Sequence, residues 1–215
     1  MLKYLLFLPL LPSLLFAQHP VDGQATISFV EGGSLCDGAL KRVDVFIDIT
    51  GLMGQGGDAG LNAFSLWVEM TDSSFYVRAE AGSDPIPFEL TTTEANRIDT
   101  VGTLRLVGHN ADTDAPNTSY HVASIYLGNK LGSVTLNLAI TNSSLGSRKI
   151  GSSGPGPIDF VFDGPLTVTI DNTFPLQISD AAAAWLSGDP TYDFQPPFGI
   201  VDVLDLVSIA ECGSP

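Results

Sequence analysis

The sequence predicts an all-β chain, an antiparallel β-sandwich of jelly-roll type with about nine strands and a short C-terminal helix-loop-helix appendage. Three observations carry this. Apolar residues recur at every second position through most of the stretch from residue 24 to 171. No segment of helical period interrupts that stretch, so successive strands pair antiparallel and each keeps one apolar face. Beyond Asn172 the texture changes to an alanine-rich run and then a proline-rich one.

Residues 1–17 are set apart first. One positive charge, Lys3, precedes an apolar run over residues 4–11 that Pro9 interrupts, and Ala17 supplies a small residue for cleavage. That run is too short for the ~30 Å hydrocarbon core of a bilayer, so it reads as a secretory signal peptide. The sandwich then occupies 18–172 and the tail 173–215. Within the sandwich Val43, Val45, Ile47 and Ile49 alternate with Asp44, Phe46, Asp48 and Thr50. Phe64, Leu66, Val68 and Met70 alternate with Ala63, Ser65, Trp67 and Glu69. Val134, Leu136, Leu138 and Ile140 form a third row, and Leu166, Val168 and Ile170 a fourth. Shorter strands are expected at 26–30, 75–79, 103–107, 121–127 and 159–162. In the tail, 179–188 reads as a helix capped by Ser179 or Asp180 and ended by Gly188. A second helix runs over 202–210, with Val203, Leu206, Val207 and Ala210 as its packing face. Together with Trp185 these residues are expected to dock the tail on the sandwich.

Composition excludes some partners. The net charge is −15, with only nine Lys and Arg. No basic patch exists to neutralise phosphates, so nucleic acid is not expected as a ligand. No membrane association is expected once the leader is removed. The two cysteines, Cys36 and Cys212, are expected to pair in an exported chain and to pin the tail to the start of the sandwich.

The search for catalysis finds little. The three histidines are His19, His109 and His121. There is no Gly-x-Ser-x-Gly elbow and no His-Glu-x-x-His pair. Nothing selects two of the many carboxylates for glycoside hydrolysis. The chain reads as non-catalytic, with a secreted glycoside hydrolase as a distant third reading. Gly54–Gly60 lacks a following helix and a lysine, so it is not a phosphate cradle. Asn117-Thr-Ser and Asn142-Ser-Ser match the glycosylation acceptor pattern. Asn110, Asp112 and Asp114 have the i, i+2, i+4 spacing that can converge oxygens on Ca²⁺, although Pro116 departs from a calcium loop and a solvated turn is the simpler expectation. For sugar stacking the candidates are Phe46, Trp67 and Tyr76, since Phe46 and Trp67 fall out of phase with the apolar rows. They form one platform only if their strands share a sheet.

Residues 42–51 and 60–69 resemble the opening strands of a cohesin-type domain, and 121–128 with 132–138 resemble its last core strands. The resemblance covers roughly residues 24–172. Cohesins share their fold with a group of carbohydrate-binding modules. It therefore implies a non-catalytic, extracellular recognition domain whose ligand is either a partner protein or a polysaccharide. A structural module of a cell-surface assembly is the alternative. The stretch from Gly199 through Asp202 to Asp205 resembles half of a dockerin repeat, a calcium-binding loop running into a helix. With Gly199 at the sixth position, Asp202 and Asp205 take the ninth and twelfth. The first, third and fifth positions fall on Phe194, Pro196 and Phe198, which offer no side-chain oxygen. No cofactor is expected, and any calcium on Asp202 and Asp205 would be weakly held, since Ca²⁺ prefers six to eight oxygens. Replacing a chelator with millimolar Ca²⁺ should therefore move the thermal midpoint by less than about 2 °C, because a ligand stabilises only as far as its concentration exceeds its dissociation constant. Calorimetry in the two buffers checks this.

Overall fold

The computed structural model describes residues 21–54, 57–98, 101–110, 115–128, 130–147, 156–173, 178–191 and 200–212. In chain order its strands are β1 (Ala25–Leu35), β2 (Leu40–Asp48), β3 (Met53–Gly54), β4 (Gly57–Asp58), β5 (Ala63–Met70), β6 (Tyr76–Asp84), β7 (Glu89–Ile98), β8 (Val101–His109), β9 (Ser119–Leu127), β10 (Gly132–Leu138), β11 (Ser144–Ser147), β12 (Gly156–Ile158), β13 (Phe160–Phe162) and β14 (Leu166–Ile170). Two helices follow, α1 (Ile178–Ala183) and α2 (Val203–Cys212).

The strands form a five-stranded sheet, β13-β1-β2-β9-β6, and a seven-stranded sheet. In the latter β5 is the hub. Its one side pairs with β8, which carries β7; its other side pairs with β10 near Met70 and with β11 near Ala63. The alternating rows point inward as the sequence predicts. Val43, Val45, Ile47, Leu66, Val68, Val134 and Leu136 are fully buried, and one apolar cluster unites residues of both sheets. Burying each such side chain is worth about 1.5–3 kcal/mol, so these rows hold the two sheets together.

The structure departs from expectation in four places. Its described residues form fourteen strands rather than nine. One of them, β7, was not expected at all, although its three successive threonines, Thr91 to Thr93, favour extended backbone. The strand expected at 159–162 is present as β13, and the short strand just before it, β12, was not expected. Pro157 and Ile158 belong to β12 in the seven-stranded sheet, and Phe160 opens β13, which pairs with β1 in parallel. The sandwich is thus not wholly antiparallel: the chain changes sheets at Asp159 and arrives beside β1 running the same way. Finally, residues of the glycine-rich loop pair as the short β3–β4 hairpin.

The tail helices are present with shifted ends. α1 stops at Ala183, and Leu186 rather than Gly188 takes the left-handed backbone, at φ +61°. Asp202 precedes α2 and caps it, its Oδ1 accepting from the Leu204 amide at 2.7 Å. The expected packing face is corrected. Trp185 and Val207 are 44% and 48% exposed, and among the described tail residues Ala181, Val201 and Ile209 are fully buried. The side chains of Val203 and Ala210 lie outside the described residues. On α2 the inward stripe runs through Ile209 and half-buried Leu206, which leaves Leu204 and Val207 on the other side. The expected disulfide is present: Cys36 and Cys212 are bonded with Cα atoms 5.6 Å apart.

Loops at the Ala63 end of the sandwich converge on one side chain. Asn117 Nδ2 donates to the carbonyls of Ile49, Leu52 and Ala59 at 3.0, 2.9 and 2.8 Å, and its Oδ1 accepts from the Gly51 amide at 2.6 Å. The amide nitrogen that a glycosylation acceptor would offer is therefore committed to holding three loop segments. The Ile49 and Leu52 carbonyls each keep a backbone donor, from Leu52 and Ala59, so the loss is of the bonds themselves, each worth about 0.5–1.5 kcal/mol. Asn117→Ala should lower the unfolding free energy by about 2–4 kcal/mol in a urea titration, and Asn117→Asp by at least as much, because a carboxylate cannot donate to the carbonyls.

Candidate recognition surface

On the five-stranded sheet, residues out of phase with the core meet across strands. β2 presents Arg42, Asp44 and Phe46; β9 presents His121, Ser124 and Tyr126; β6 presents Arg78 and Glu80. A bulge between Val45 and Phe46 resets the register, so that His121 and Ser124 share this face although three residues apart. Ser124 donates to Asp44 at 2.6 Å, and Arg42 pairs with Asp44 at 3.0 Å. His121 Nε2 lies 3.0 Å from Ser124 Oγ and 3.3 Å from Asp44 Oδ1. Serine, histidine and aspartate are together, but not as a nucleophile and its base. A catalytic relay places the carboxylate on one ring nitrogen and the serine on the other. Here both oxygens approach the same nitrogen, and the serine proton is already given to the carboxylate. Alongside, Arg78 Nε and the Tyr126 hydroxyl both donate to Glu80, each at 2.9 Å, and the Arg78 guanidinium sits 4.2 Å from the centre of the Tyr126 ring. The Arg78 hydrogen bond leads in holding Glu80 below its ordinary pKa, against the opposing effect of burial. Burial leads in raising Tyr126, helped by its bond to Glu80. Most of the polar groups on this face are paired with one another, Arg42 Nε being buried without a hydrogen-bond partner.

The seven-stranded sheet is different. Trp67 on β5 faces outward, directly opposite Arg105 on β8. The Arg105 guanidinium sits 5.3 Å from the centre of the indole ring, and its Nε donates to Ser65 Oγ at 3.2 Å. One register step toward Ala63 the surface dips into an open trough of ≈ 500 Å³. Its floor is made of small side chains, Ala63, Ser65, Ser144 and Gly146, between Val107 on one flank and Pro157 on the other. At the rim His109 lies 3.3 Å from Glu89, both exposed. The pairing explains the dip: Gly146 lies opposite both Ala63 and Pro157, and Ser144 opposite Ser65.

The three rings proposed for sugar stacking are not one platform. Phe46 lies in the five-stranded sheet, 5.3 Å from the His121 ring, whereas Trp67 lies in the other sheet. Tyr76 packs against the core cluster. The Asn110 side chain is engaged locally, accepting from Asn62 and donating to the Leu61 carbonyl, both at 3.0 Å. Asp112 and Asp114 lie outside the described residues, as do Phe194, Pro196, Phe198 and Gly199 and the side chain of Asp205. Among the described residues no three His, Cys, Asp or Glu side chains converge as a metal site, and no helix is long and apolar enough to cross a membrane. Arg105, Ser65 and the trough were not foreseen. The outward phase of Trp67 was legible, but the identity of its neighbour depends on how β5 and β8 pair.

Because Glu80 is held low, its interactions stabilise the fold above its ordinary pKa of 4.5 and are lost as pH falls through the lowered value. Arg78→Ala removes the leading cause, so the Glu80 carboxyl should titrate at higher pH, as ¹³C NMR of the side-chain carboxyls would register.

No protein-family model matches this sequence, and no curated protein does. Among solved structures the chain is similar to cohesin modules. One is the third cohesin ScaC of Acetivibrio cellulolyticus, solved in complex with a dockerin, at 13% identity and a TM-score of 0.44, covering 68% of this chain and 99% of that one. Another is a non-cellulosomal cohesin from the hyperthermophilic archaeon Archaeoglobus fulgidus, at 9% identity and a TM-score of 0.42, covering 75% and 97%. A third is the cohesin module of a Clostridium perfringens family 33 glycoside hydrolase, at 12% identity and a TM-score of 0.39, covering 69% and 94%.

Proposed function

We propose that this chain is a non-catalytic recognition module that works outside the cell and binds a partner protein on the outer face of its seven-stranded sheet. The leader-like residues 1–17 support the location, and the resemblance of residues 24–172 to cohesins supports the class. On the same reading the two sheets are a jelly roll, and the tail is a dockerin-like half repeat in which apolar packing stands where calcium would be.

One observation carries the choice of surface: the Trp67–Arg105 pair beside the trough. Tryptophan and arginine are the side chains most often found to dominate binding energy at protein interfaces. They sit on a paired sheet, so their positions are held by the backbone before any partner arrives. The other sheet offers charged groups already engaged with one another. A polysaccharide is less well served, because stacking wants a row of rings and Phe46, Trp67 and Tyr76 are divided among two sheets and the core.

Trp67→Ala should weaken partner binding at least tenfold, roughly the effect of losing one dominant interface residue, and Phe46→Ala should leave it unchanged. Surface plasmon resonance of the immobilised protein against fractionated extracellular proteins measures both. Equal losses in the two variants would move the surface elsewhere. Retention on insoluble polysaccharide, with no protein bound, would replace the partner.

A further inference from the structure

We propose that the partner on this face is a second copy of the same chain, with the helical tail of one copy seated in the trough of the next. The inference rests on the reading of that face given above and names its occupant. The tail is unusually apolar on its outside. Eleven large apolar side chains are exposed among the described residues, and five of them, Trp185, Leu186, Ile200, Leu204 and Val207, fall within it. They are brought together by the tail's own fold. The Leu186 amide donates to Val201 O at 3.0 Å and the Val201 amide to Ser187 O at 2.8 Å, which sets Leu186 beside Ile200. Leu204 and Val207 are three residues apart on α2, on the side away from buried Ile209. A knob of this kind matches a trough floored by small residues, where no bulky side chain has to move aside.

Charge agrees with shape. Residues 173–215 contain Asp180, Asp189, Asp193, Asp202, Asp205 and Glu211, and no Lys, Arg or His. β8 carries Arg105 beside the trough and His109 at its rim, the latter against Glu89. An acidic, apolar segment that carries no cation of its own thus meets a face that carries Arg105, which favours this pairing over tail against tail.

The tether decides between a copy's own trough and a neighbour's. Cys36 holds Cys212 at the turn between β1 and β2. That is the end of the sandwich where Lys41 pairs with Leu127. The trough lies at the opposite end, where Asp48 leads through the Asn117-bound loops to Ala63. β2 has nine residues, so these ends are roughly 30 Å apart at ~3.3 Å per residue. Leu204 lies only ~12 Å along α2 from the anchored Cys212. A tail fixed in this way falls short of its own trough and is presented to another molecule. Contact between two different patches is heterologous, so it closes into a ring or continues as a chain of copies.

Sedimentation of the full chain tests this. The wild type should gain mass with concentration. Leu204→Asp/Val207→Asp, which blocks the tail, and Ala63→Arg, which blocks the trough, should each be monomeric. Mixed in equal amounts, they should form a dimer that grows no further, since one intact tail meets one intact trough. Ile200→Asp and Val107→Glu serve as second variants, and circular dichroism with a thermal midpoint confirms that each is folded. A wild type that stays monomeric up to ~1 mM overturns the proposal. So does a trough-blocked variant that still dimerises, which would mean tail on tail. If self-association fails while Trp67→Ala still abolishes binding to a foreign extracellular protein, the recognition reading stands and only the identity of its partner changes.

Discussion

A strand that gives one face to a core has no freedom left in the other. Each residue's partner across the sheet is set by the register that buries its neighbours, and a slip of one residue would turn the buried row to water. Both outer faces of this sandwich inherit their chemistry from that constraint. Leu66 and Val68 are buried with Leu104 and Leu106 opposite them in reverse order. Trp67 and Arg105 therefore have to meet. On the other sheet the bulge beside Phe46 is what brings His121 and Ser124 to one side, over Asp44. The surfaces are consequences of the core rather than additions to it.

The same constraint separates what was legible in the sequence from what was not. Strong alternation at 43–50 and 63–70 marks strands and their inward faces without any knowledge of neighbours. β7 is a poorer pattern, Glu-Leu-Thr-Thr-Thr-Glu, and its strand character comes from pairing with β8. The strand at 159–162 was legible, but its place was not; only the docking of Phe160 beside Ala25, after β12 has paired in the other sheet, reveals the change of sheet at Asp159. At the candidate site, the outward phase of Trp67 could be read locally. Arg105, thirty-eight residues on, and the Gly146–Ala63 pairing that opens the trough could not, since they are products of long-range pairing. The tail shows the converse limit: its helical periodicity was legible, but which stripe faces inward depends on what it packs against, and Ile209 rather than Val207 is buried.

A chain with twenty-four acidic residues and nine Lys and Arg has few cations to place. Three of them lie over aromatic rings: Arg78 on Tyr126, Arg105 on Trp67, and Lys130 on Phe75, at 4.2, 5.3 and 4.5 Å from the ring centres. Two of these three also engage a carboxylate, Arg78 with Glu80 and Lys130 with Asp72. The Lys130 hydrogen bond leads in lowering Asp72 to about 2, with the Ser74 hydroxyl and amide adding to it. Each of these cations bridges an apolar surface and an acidic one. Arg105 differs in having a serine, not a carboxylate, as its polar partner among the described residues.

The bond between Cys36 and Cys212 spans 176 positions of sequence. Under tension this makes the chain behave as a much shorter one. A pull on the carboxyl side of Cys212 enters the sandwich at the turn between β1 and β2, and the covalent path from there toward the amino end runs through β1 and bypasses everything between the cysteines. Everything between the cysteines, a contour of roughly 600 Å if extended, lies in a closed loop that cannot be paid out while the bridge holds. The two β-sheets could lose their hydrogen bonds and the molecule would still transmit force without lengthening by that amount.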